Sequence, residues 1–267
     1  MKYVNLGCGG RFIENWLNFD FKSNSPFVTE VNLTKGIPLK SGEIDFVYHS
    51  HVLEHFSKFE GEKFLKECYR VLKEGGIIRI VVPDLEQIAI NYLNNLKTAR
   101  EDNSILNRES YYWSLIELLD QSVREEPGGE MLKIWSQQKI INEQQIIERS
   151  GEEFLRIRSH IKNNSSMNRE VKRNITFKDK IKNILYKKLN IQVENLKVGN
   201  FRNSGEIHKW MYDSYSLKEL LENIGFREVK IVDGFKSGLE NWDDFKFLDI
   251  ENGKIRKPDS IFIEAYR

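Results

Sequence analysis

Two short segments near the start of the chain contain residues that could bind a nucleoside-type ligand. A glycine cluster, Gly7-Cys8-Gly9-Gly10, directly follows the β-favouring run at 2–6. Glycine adopts positive φ readily and lets the backbone approach a ligand that a Cβ atom would exclude. Asp20 closes the next β-favouring run, at 16–21, where a carboxylate can accept hydrogen bonds from both hydroxyls of a ribose. Each segment alone could be an ordinary turn, but together they favour a ligand site.

Histidines supply a second kind of chemistry, because their side chains titrate near neutral pH. His51 and His55 follow the strand pattern at 44–49 and are four residues apart, a spacing that places them on one face of a helix. As a metal pair they have no clear third ligand in the sequence, so no metal site is predicted. His51, His55 or His208 could act as a general base. The competing predictions are structural: His55 with Glu54 would anchor the start of a helix, and His208 would cap one.

The elements around these residues alternate between strands and helices. Strands are predicted at 2–6, 16–21, 27–31, 44–49 and 77–82. A helix is predicted at 59–72, stopped by Glu74-Gly75-Gly76, and another at 216–224, capped by Gly225. Two further strands are predicted at 226–232 and 260–266. This alternation is typical of an α/β fold with a parallel sheet.

The middle of the chain breaks this pattern. From 85 to 203 the sequence has helical periodicity, polar connections and no convincing strand. We predict an α-helical insertion at 85–203, which would bind a substrate or act as a lid, within a discontinuous domain formed by 1–84 and 204–267.

The insertion is locally basic. From 151 to 203, thirteen Lys or Arg residues outnumber five Asp or Glu residues. Within 169–188 most lysines lie off an apolar helical stripe that begins at Phe177. The pattern predicts either a basic surface helix or a site for an anionic substrate or a membrane surface.

The overall composition bears on partners and location. A net charge of +1 gives no global field for a nucleic acid, so no nucleic-acid partner is expected. Cys8 and Cys68 form neither a CxxC pair nor a metal-ligand cluster. No apolar run approaches the roughly 20 residues that span a bilayer, and the start of the chain has no room for a signal peptide. We expect a cytoplasmic protein, with peripheral contact to the inner face of a membrane left open by the basic insertion.

Taken together, these motifs resemble those of the class I S-adenosylmethionine-dependent methyltransferases, especially the type 11 group. The matching segments are NLGCGG at 5–10, NFD at 18–20, IDFVYHSHVLEHF at 44–56 and FLKECYRVLKEGGIIRIVVPD at 64–84. HKWMYD at 208–213, LLENIGF at 220–226 and KPDSIFIEAYR at 257–267 also resemble this group. The resemblance covers about half of the chain. It implies a Rossmann-like, doubly wound, mostly parallel sheet with an antiparallel last strand, and S-adenosylmethionine as the cofactor.

The resemblance also implies individual residue roles. The glycine turn would pass beneath the methionine part of the cofactor, Asp20 would hold the ribose, and Asn32 and Leu33 would contact the adenine. His49 and Ser50 would line the methionine side, chiefly through backbone groups. The predicted cofactor-binding residues are therefore Asn5, Gly7, Cys8, Gly9, Asp20, Asn32, Leu33, His49 and Ser50.

Two departures from the family pattern affect the glycine turn. Only ten residues separate Gly9 from Asp20, too few for the usual helix and strand, so the first helix is predicted to be missing or reduced to a turn. Arg11 stands where the common GxGxG turn has its third glycine. Cofactor binding is still expected, with altered local geometry.

The expected function is methyl transfer from S-adenosylmethionine. The resemblance is to small methylases associated with cell-surface glycan assembly, which implies O-methylation of a nucleotide-linked or lipid-linked sugar; another small-molecule acceptor is the alternative. A nicotinamide-dependent oxidoreductase would place its acidic residue about 20 residues after the glycine turn, roughly twice the interval found here. A non-catalytic domain that has kept the fold is the third alternative.

Overall fold

The computed structural model describes residues 1–23, 25–165 and 193–267. Its strands are β1 (Tyr3–Leu6), β2 (Leu17–Asp20), β3 (Thr29–Glu30), β4 (Ile44–Ser50), β5 (Leu72–Pro83), β6 (Arg227–Val232), β7 (Ile250–Glu251), β8 (Lys254–Ile255) and β9 (Ser260–Tyr266). Its helices are α1 (Lys58–Val71), α2 (Leu85–Glu101), α3 (Ile105–Val123), α4 (Gly129–Trp135), α5 (Glu143–Ser165), α6 (Val193–Arg202), α7 (Ser214–Ile224) and α8 (Trp242–Phe245). The predicted basic helix at 169–188 lies outside the described residues.

Within the described residues, seven strands form one sheet in the order β3-β2-β1-β4-β5-β9-β6. Strands β1, β2, β3, β4 and β5 pair in parallel, whereas β9 is antiparallel to both β5 and β6. The predicted Rossmann-like fold, with its antiparallel last strand, is confirmed. The chain runs from β1 outward to β3 and then returns to place β4 on the other side of β1. Ligands of open α/β sheets bind at such a reversal, outside the carboxyl ends of the strands.

Apolar clusters cover both faces of the sheet, because successive side chains in a strand point to opposite faces. In β4, Val47 packs in the cluster that includes Phe64 of α1 and Leu217 of α7. The neighbouring Phe46 and Tyr48 pack in the cluster formed with the segment that follows β6. The helices between β5 and α7 contain a separate cluster, comprising Trp113, Trp135, Ile140, Ile146 and Phe154.

Local signals set the helix ends that frame the site. Ser57 caps the start of α1 and forms a capping box with Glu60. Asp213 caps the start of α7, where its side chain accepts from Ser216 N. Gly225 ends α7 with a φ of 118°, as predicted.

The predicted stop of α1 at 74–76 is wrong. α1 ends at Val71, and the glycines lie within β5, where the β4–β5 register shifts after Ile44. A pair of glycines can mark a bulge as well as a helix end, since both need a backbone that other residues adopt with strain.

Among the helices of the described residues, none combines the length and the apolar character needed to cross a membrane.

Candidate functional site

The glycine turn lies at the carboxyl end of β1, where the strand order reverses. Gly7 and Gly9 have φ values of 65° and 54°. A Cβ atom at Gly7 would lie 2.4 Å from Val52 Cγ2, whereas one at Gly9 would meet nothing within 4 Å. Packing therefore requires glycine at position 7. At position 9 the space is open, and a ligand could approach the backbone there.

Asp20 lies against this turn. Its Oδ2 accepts a hydrogen bond from Gly9 N at 2.7 Å, and its Oδ1 accepts one from Lys22 N at 3.3 Å. An ionised carboxylate offers about four acceptor positions, so roughly two are left for a ligand. Asp20 therefore keeps acceptor capacity for a ligand, and its contact with a ribose stays a prediction.

No helix lies between the glycine turn and β2, as predicted. Asn5 stabilises the turn by donating from Nδ2 to Arg11 O at 3.0 Å. The Arg11 guanidinium donates to Phe247 O at 2.7 Å and to Glu251 Oε2 at 3.1 Å. The arginine at the third-glycine position thus ties the turn to the segment before β9.

A cavity of about 330 Å³ opens on this turn. The sheet side supplies Gly7, Cys8, Gly9, Gly10, Arg11, Ser50 and His51. The opposite side supplies Glu152, Glu153 and Arg156 from α5, together with Glu251, Arg256 and Lys257. The open space at Gly9 and the remaining acceptors of Asp20 suit a nucleoside, and the cation Arg256 suits an amino-acid carboxylate, whereas Arg11 is already paired with Glu251. S-adenosylmethionine combines a nucleoside with an amino-acid carboxylate, so the residues fit it.

The other predicted cofactor residues lie around this cavity in different ways. Cys8 borders it, but burial raises the pKa of its thiol to about 12, so the thiol stays protonated. Ser50 also borders it. His49 points into the core against Phe64, and burial lowers its pKa to about 3. His49 does not border the cavity, and its backbone contact with the cofactor stays a prediction.

Asn32 and Leu33 do not border the cavity. Asn32 caps the 3₁₀ turn Leu33–Lys35 by accepting from Thr34 N at 3.0 Å. Leu33 is half-buried and packs against the core. Their contact with adenine stays a prediction.

A second cavity, of about 230 Å³, adjoins the first. His51, Glu153 and Lys257 line both. Apolar side chains of the insertion form one part of its wall, namely Met131, Leu132, Trp135 and Ile157. Polar side chains form the remainder, among them Gln121, Arg124 and Asp259. Sequence reasoning missed Glu153 and Lys257, since residues so far apart in the chain leave no spacing signal.

His51 stands at the boundary of the two cavities with a φ of 55°. Its Nε2 lies 2.9 Å from Ser260 Oγ, and its Nδ1 lies 3.2 Å from Glu54 Oε1. Burial lowers the pKa of His51 well below its ordinary value and raises that of Glu54 to about 8. The pair forms a buried polar link behind the wall of both cavities.

The structure corrects the helical interpretation of this segment. His51 has positive φ and only a 3₁₀ turn, Leu53–His55, follows, so His51 and His55 do not share a helix face. His55 with Glu54 does not anchor the helix start, because Ser57 caps α1. His55 instead bonds Ile207 O through Nδ1 at 3.1 Å.

His208 does not cap a helix, since Asp213 caps α7. It is buried, its backbone N donates to Gln121 O at 2.8 Å, and its ring lies 5.0 Å from that of His55. His208 therefore joins Glu54 and His55 behind His51. The catalytic roles of the three histidines stay predictions.

Comparisons with known proteins agree with this architecture. Residues 11–80 match the family model described as a methyltransferase domain. The match begins just after the glycine turn and ends within β5. No curated protein matches the chain significantly.

Solved structures show weaker likeness. A SAM-dependent methyltransferase from Archaeoglobus fulgidus is 15% identical, with a TM-score of 0.40 over 100% of this chain and 86% of that one. A SAM-dependent methyltransferase from Thermotoga maritima, described as a possible histamine N-methyltransferase, is 15% identical, with a TM-score of 0.39 over 99% and 81%. These scores are too low to establish a shared fold.

The assignment rests instead on the strand order of the sheet and on the family match. Both agree with the motifs that the sequence shares with class I enzymes. The predicted resemblance is confirmed to this extent: residues 11–80, within the part that carries the motifs, match the methyltransferase-domain model.

Proposed function

We propose that this protein transfers a methyl group from S-adenosylmethionine to a small acceptor held between the sheet and the helical insertion. The observation that carries the proposal is the junction of the two cavities at His51, Glu153 and Lys257. One cavity opens on the glycine turn and the other on the insertion helices. A cofactor in the first and an acceptor in the second would meet at this junction.

The chemistry needs alignment more than it needs a reactive side chain. S-adenosylmethionine supplies a methyl group on a sulfonium, which is already a good leaving group. The protein must bring the acceptor atom in line with that methyl group and exclude water. The open space at Gly9 would let the cofactor lie against the backbone, and Asp20 would accept hydrogen bonds from the ribose of the cofactor. α4 and α5 would cover the acceptor, because Met131, Trp135 and Ile157 line the second cavity.

The second cavity is lined by both apolar and polar side chains, which favours an acceptor that has both kinds of surface. A sugar ring has this character, since its C–H faces pack on apolar side chains while its hydroxyls bond polar ones. Arg124 and Lys257 would favour an acceptor that also carries a phosphate, but Glu153 and Asp259 line the same cavity and limit the excess of positive charge. We therefore propose O-methylation of a sugar or glycan precursor, nucleotide-linked or lipid-linked.

The test is transfer of a labelled methyl group to a panel of nucleotide sugars and glycan precursors. Met131→Arg should fill the second cavity, abolish transfer and leave S-adenosylmethionine affinity unchanged. Leu119→Arg, on an exposed position of α3, is the matched control and should transfer normally. Normal transfer by Met131→Arg would place the acceptor elsewhere. Failure of the wild type to transfer to any sugar, with transfer to another small molecule, would reject the glycan assignment alone.

A further inference from the structure

Behind His51 lies a group of three side chains that line neither of the two cavities. Glu54, His55 and His208 each offer one ligand atom, and these atoms all lie within 4.8 Å of one another. Glu54 is completely buried and His208 is 4% exposed. The sequence offers no third ligand for a pair formed by His51 and His55. The fold instead groups His55 with Glu54 and with a histidine from the far end of the insertion.

The carboxylate of Glu54 is the least satisfied polar group in this cluster. Among the described residues, neither of its oxygens accepts a well-formed hydrogen bond. The nearest ring nitrogens are His51 Nδ1 at 3.2 Å and His208 Nε2 at 3.9 Å from Oε1. Burial of an ionised carboxylate is costly unless a charge or several hydrogen bonds compensate it. A bound cation would provide that compensation.

His55 is oriented as a metal-bound histidine commonly is. His55 Nδ1 lies 3.1 Å from Ile207 O, and a carbonyl can only accept, so Nδ1 bears the hydrogen. The lone pair of His55 is then on Nε2. A ring N–H fixed by a carbonyl is the usual arrangement of a metal-bound histidine. His208 Nδ1 has no hydrogen-bond partner in the described part of the chain, so no hydrogen bond from that atom holds the ring in another orientation.

Backbone bonds hold the three ligands together. Lys209 N and Trp210 N both donate to Glu54 O, at 2.7 and 3.2 Å, and His208 N donates to Gln121 of α3. The nearby cation Arg124 lies 3.5 Å from Asp120 and 3.7 Å from Glu206, which offset its charge. The ligands need to close by only a small movement of side chains to reach metal-bond lengths of about 2.0–2.2 Å.

We propose that Glu54, His55 and His208 bind one divalent transition-metal ion, with Zn²⁺ the best match. Two imidazoles and one carboxylate form a ligand set that zinc accepts, with a fourth position open. The ion would join the segment at 207–210 to the end of β4. It would also hold Glu54 beside His51, and so fix His51 at the boundary of the two cavities. Binding of the ion does not depend on the identity of the proposed acceptor.

The test measures metal binding directly on the full-length protein. Purified wild type, stripped with a chelator, should take up about one Zn²⁺ per chain in a competition titration and unfold at a higher temperature when loaded. Co²⁺ should give the visible absorption bands of a protein-bound site. His208→Ala should weaken Zn²⁺ binding by at least the roughly 10- to 100-fold that loss of an outer-shell partner costs, because a direct ligand is lost. His160→Ala is the matched control, since it removes an exposed histidine of α5 outside the cluster, and its affinity should equal that of the wild type.

The outcomes separate the site from adventitious binding. Absence of Zn²⁺ uptake by the folded wild type would overturn the proposal. Equal affinities for His208→Ala and His160→Ala would also overturn it, since the metal would then bind elsewhere. If Glu54→Gln or His208→Ala fails to fold, His55→Ala provides the third ligand deletion, and its affinity for Zn²⁺ is compared with that of His160→Ala in the same way. Methyl-transfer activity enters none of these measurements, so failure of the proposed function would leave the result intact.

Discussion

Replacement of Asp20 by alanine should weaken S-adenosylmethionine binding strongly while the protein stays folded. The carboxylate uses one acceptor position for Gly9 N and one for Lys22 N, and about two are left for the ribose. The bond to Gly9 lies within the protein, so its loss should affect mainly the stability of the turn. The contribution to affinity comes from the remaining positions.

The expected loss follows from the charge of the acceptor. A hydrogen bond to a charged group contributes about 1.5–3 kcal/mol. Loss of one such bond or its equivalent raises the dissociation constant by roughly 10- to 150-fold, since 1.4 kcal/mol is about tenfold. Asp20→Asn keeps an oxygen for Gly9 N but loses the charge and one set of acceptors, so its affinity should fall between those of wild type and Asp20→Ala.

Equilibrium binding of S-adenosylmethionine to the three proteins is the assay, with thermal unfolding to show that each is folded. Asp45→Ala is the control, because Asp45 is an acidic residue at the opposite end of the parallel strands. Its affinity should match that of the wild type. An Asp20→Ala variant that is folded and binds normally would refute the assignment of the ribose to this strand end.

Three further perturbations test other parts of the structure. Gly7→Ala should lower the melting temperature because its Cβ would meet Val52, whereas Gly9→Ala should stay folded and lose cofactor affinity. If the two variants change the melting temperature and the cofactor affinity equally, the turn has only a structural role. Arg79→Met should destabilise the fold by about 3–5 kcal/mol in a denaturant titration, because it leaves Asp249 and Glu264 buried without their partner; a loss below about 1 kcal/mol would contradict this. Reversal of Lys180, Lys182, Lys187 and Lys188 to Glu should raise the Michaelis constant of an anionic acceptor or abolish liposome association. Salt at 1 M should have the same effect on the wild type, because the screening length falls to about 3 Å. If the variant matches the wild type in both assays, these lysines form only a solvated surface.

Much of the sheet could be predicted because buried parallel strands are nearly continuous apolar runs. The segment 44–49 and the segment 77–82 have this character and form the centre of the sheet. The end of α7 could also be predicted, since a glycine after an amphipathic helix commonly adopts the left-handed conformation that Gly225 shows.

Less of the site could be predicted from the sequence, because its contacts join residues that are distant in the chain. Arg11 bonds Phe247, 236 residues away, and His55 bonds Ile207, 152 residues away. Spacing within a short window carries no information about such pairs. Spacing also led to one wrong local prediction. His55 is four residues after His51, but the positive φ of His51 prevents the helix that this spacing suggested.

Titration of the purified wild-type protein with S-adenosylmethionine, S-adenosylhomocysteine, NAD⁺ and NADP⁺ tests the central claim most directly. We expect saturable binding of both sulfur-containing nucleosides with one site per chain, and no heat of binding from either nicotinamide nucleotide. Binding of a nicotinamide nucleotide in place of S-adenosylmethionine, or no binding of any of the four to the folded protein, would contradict the account.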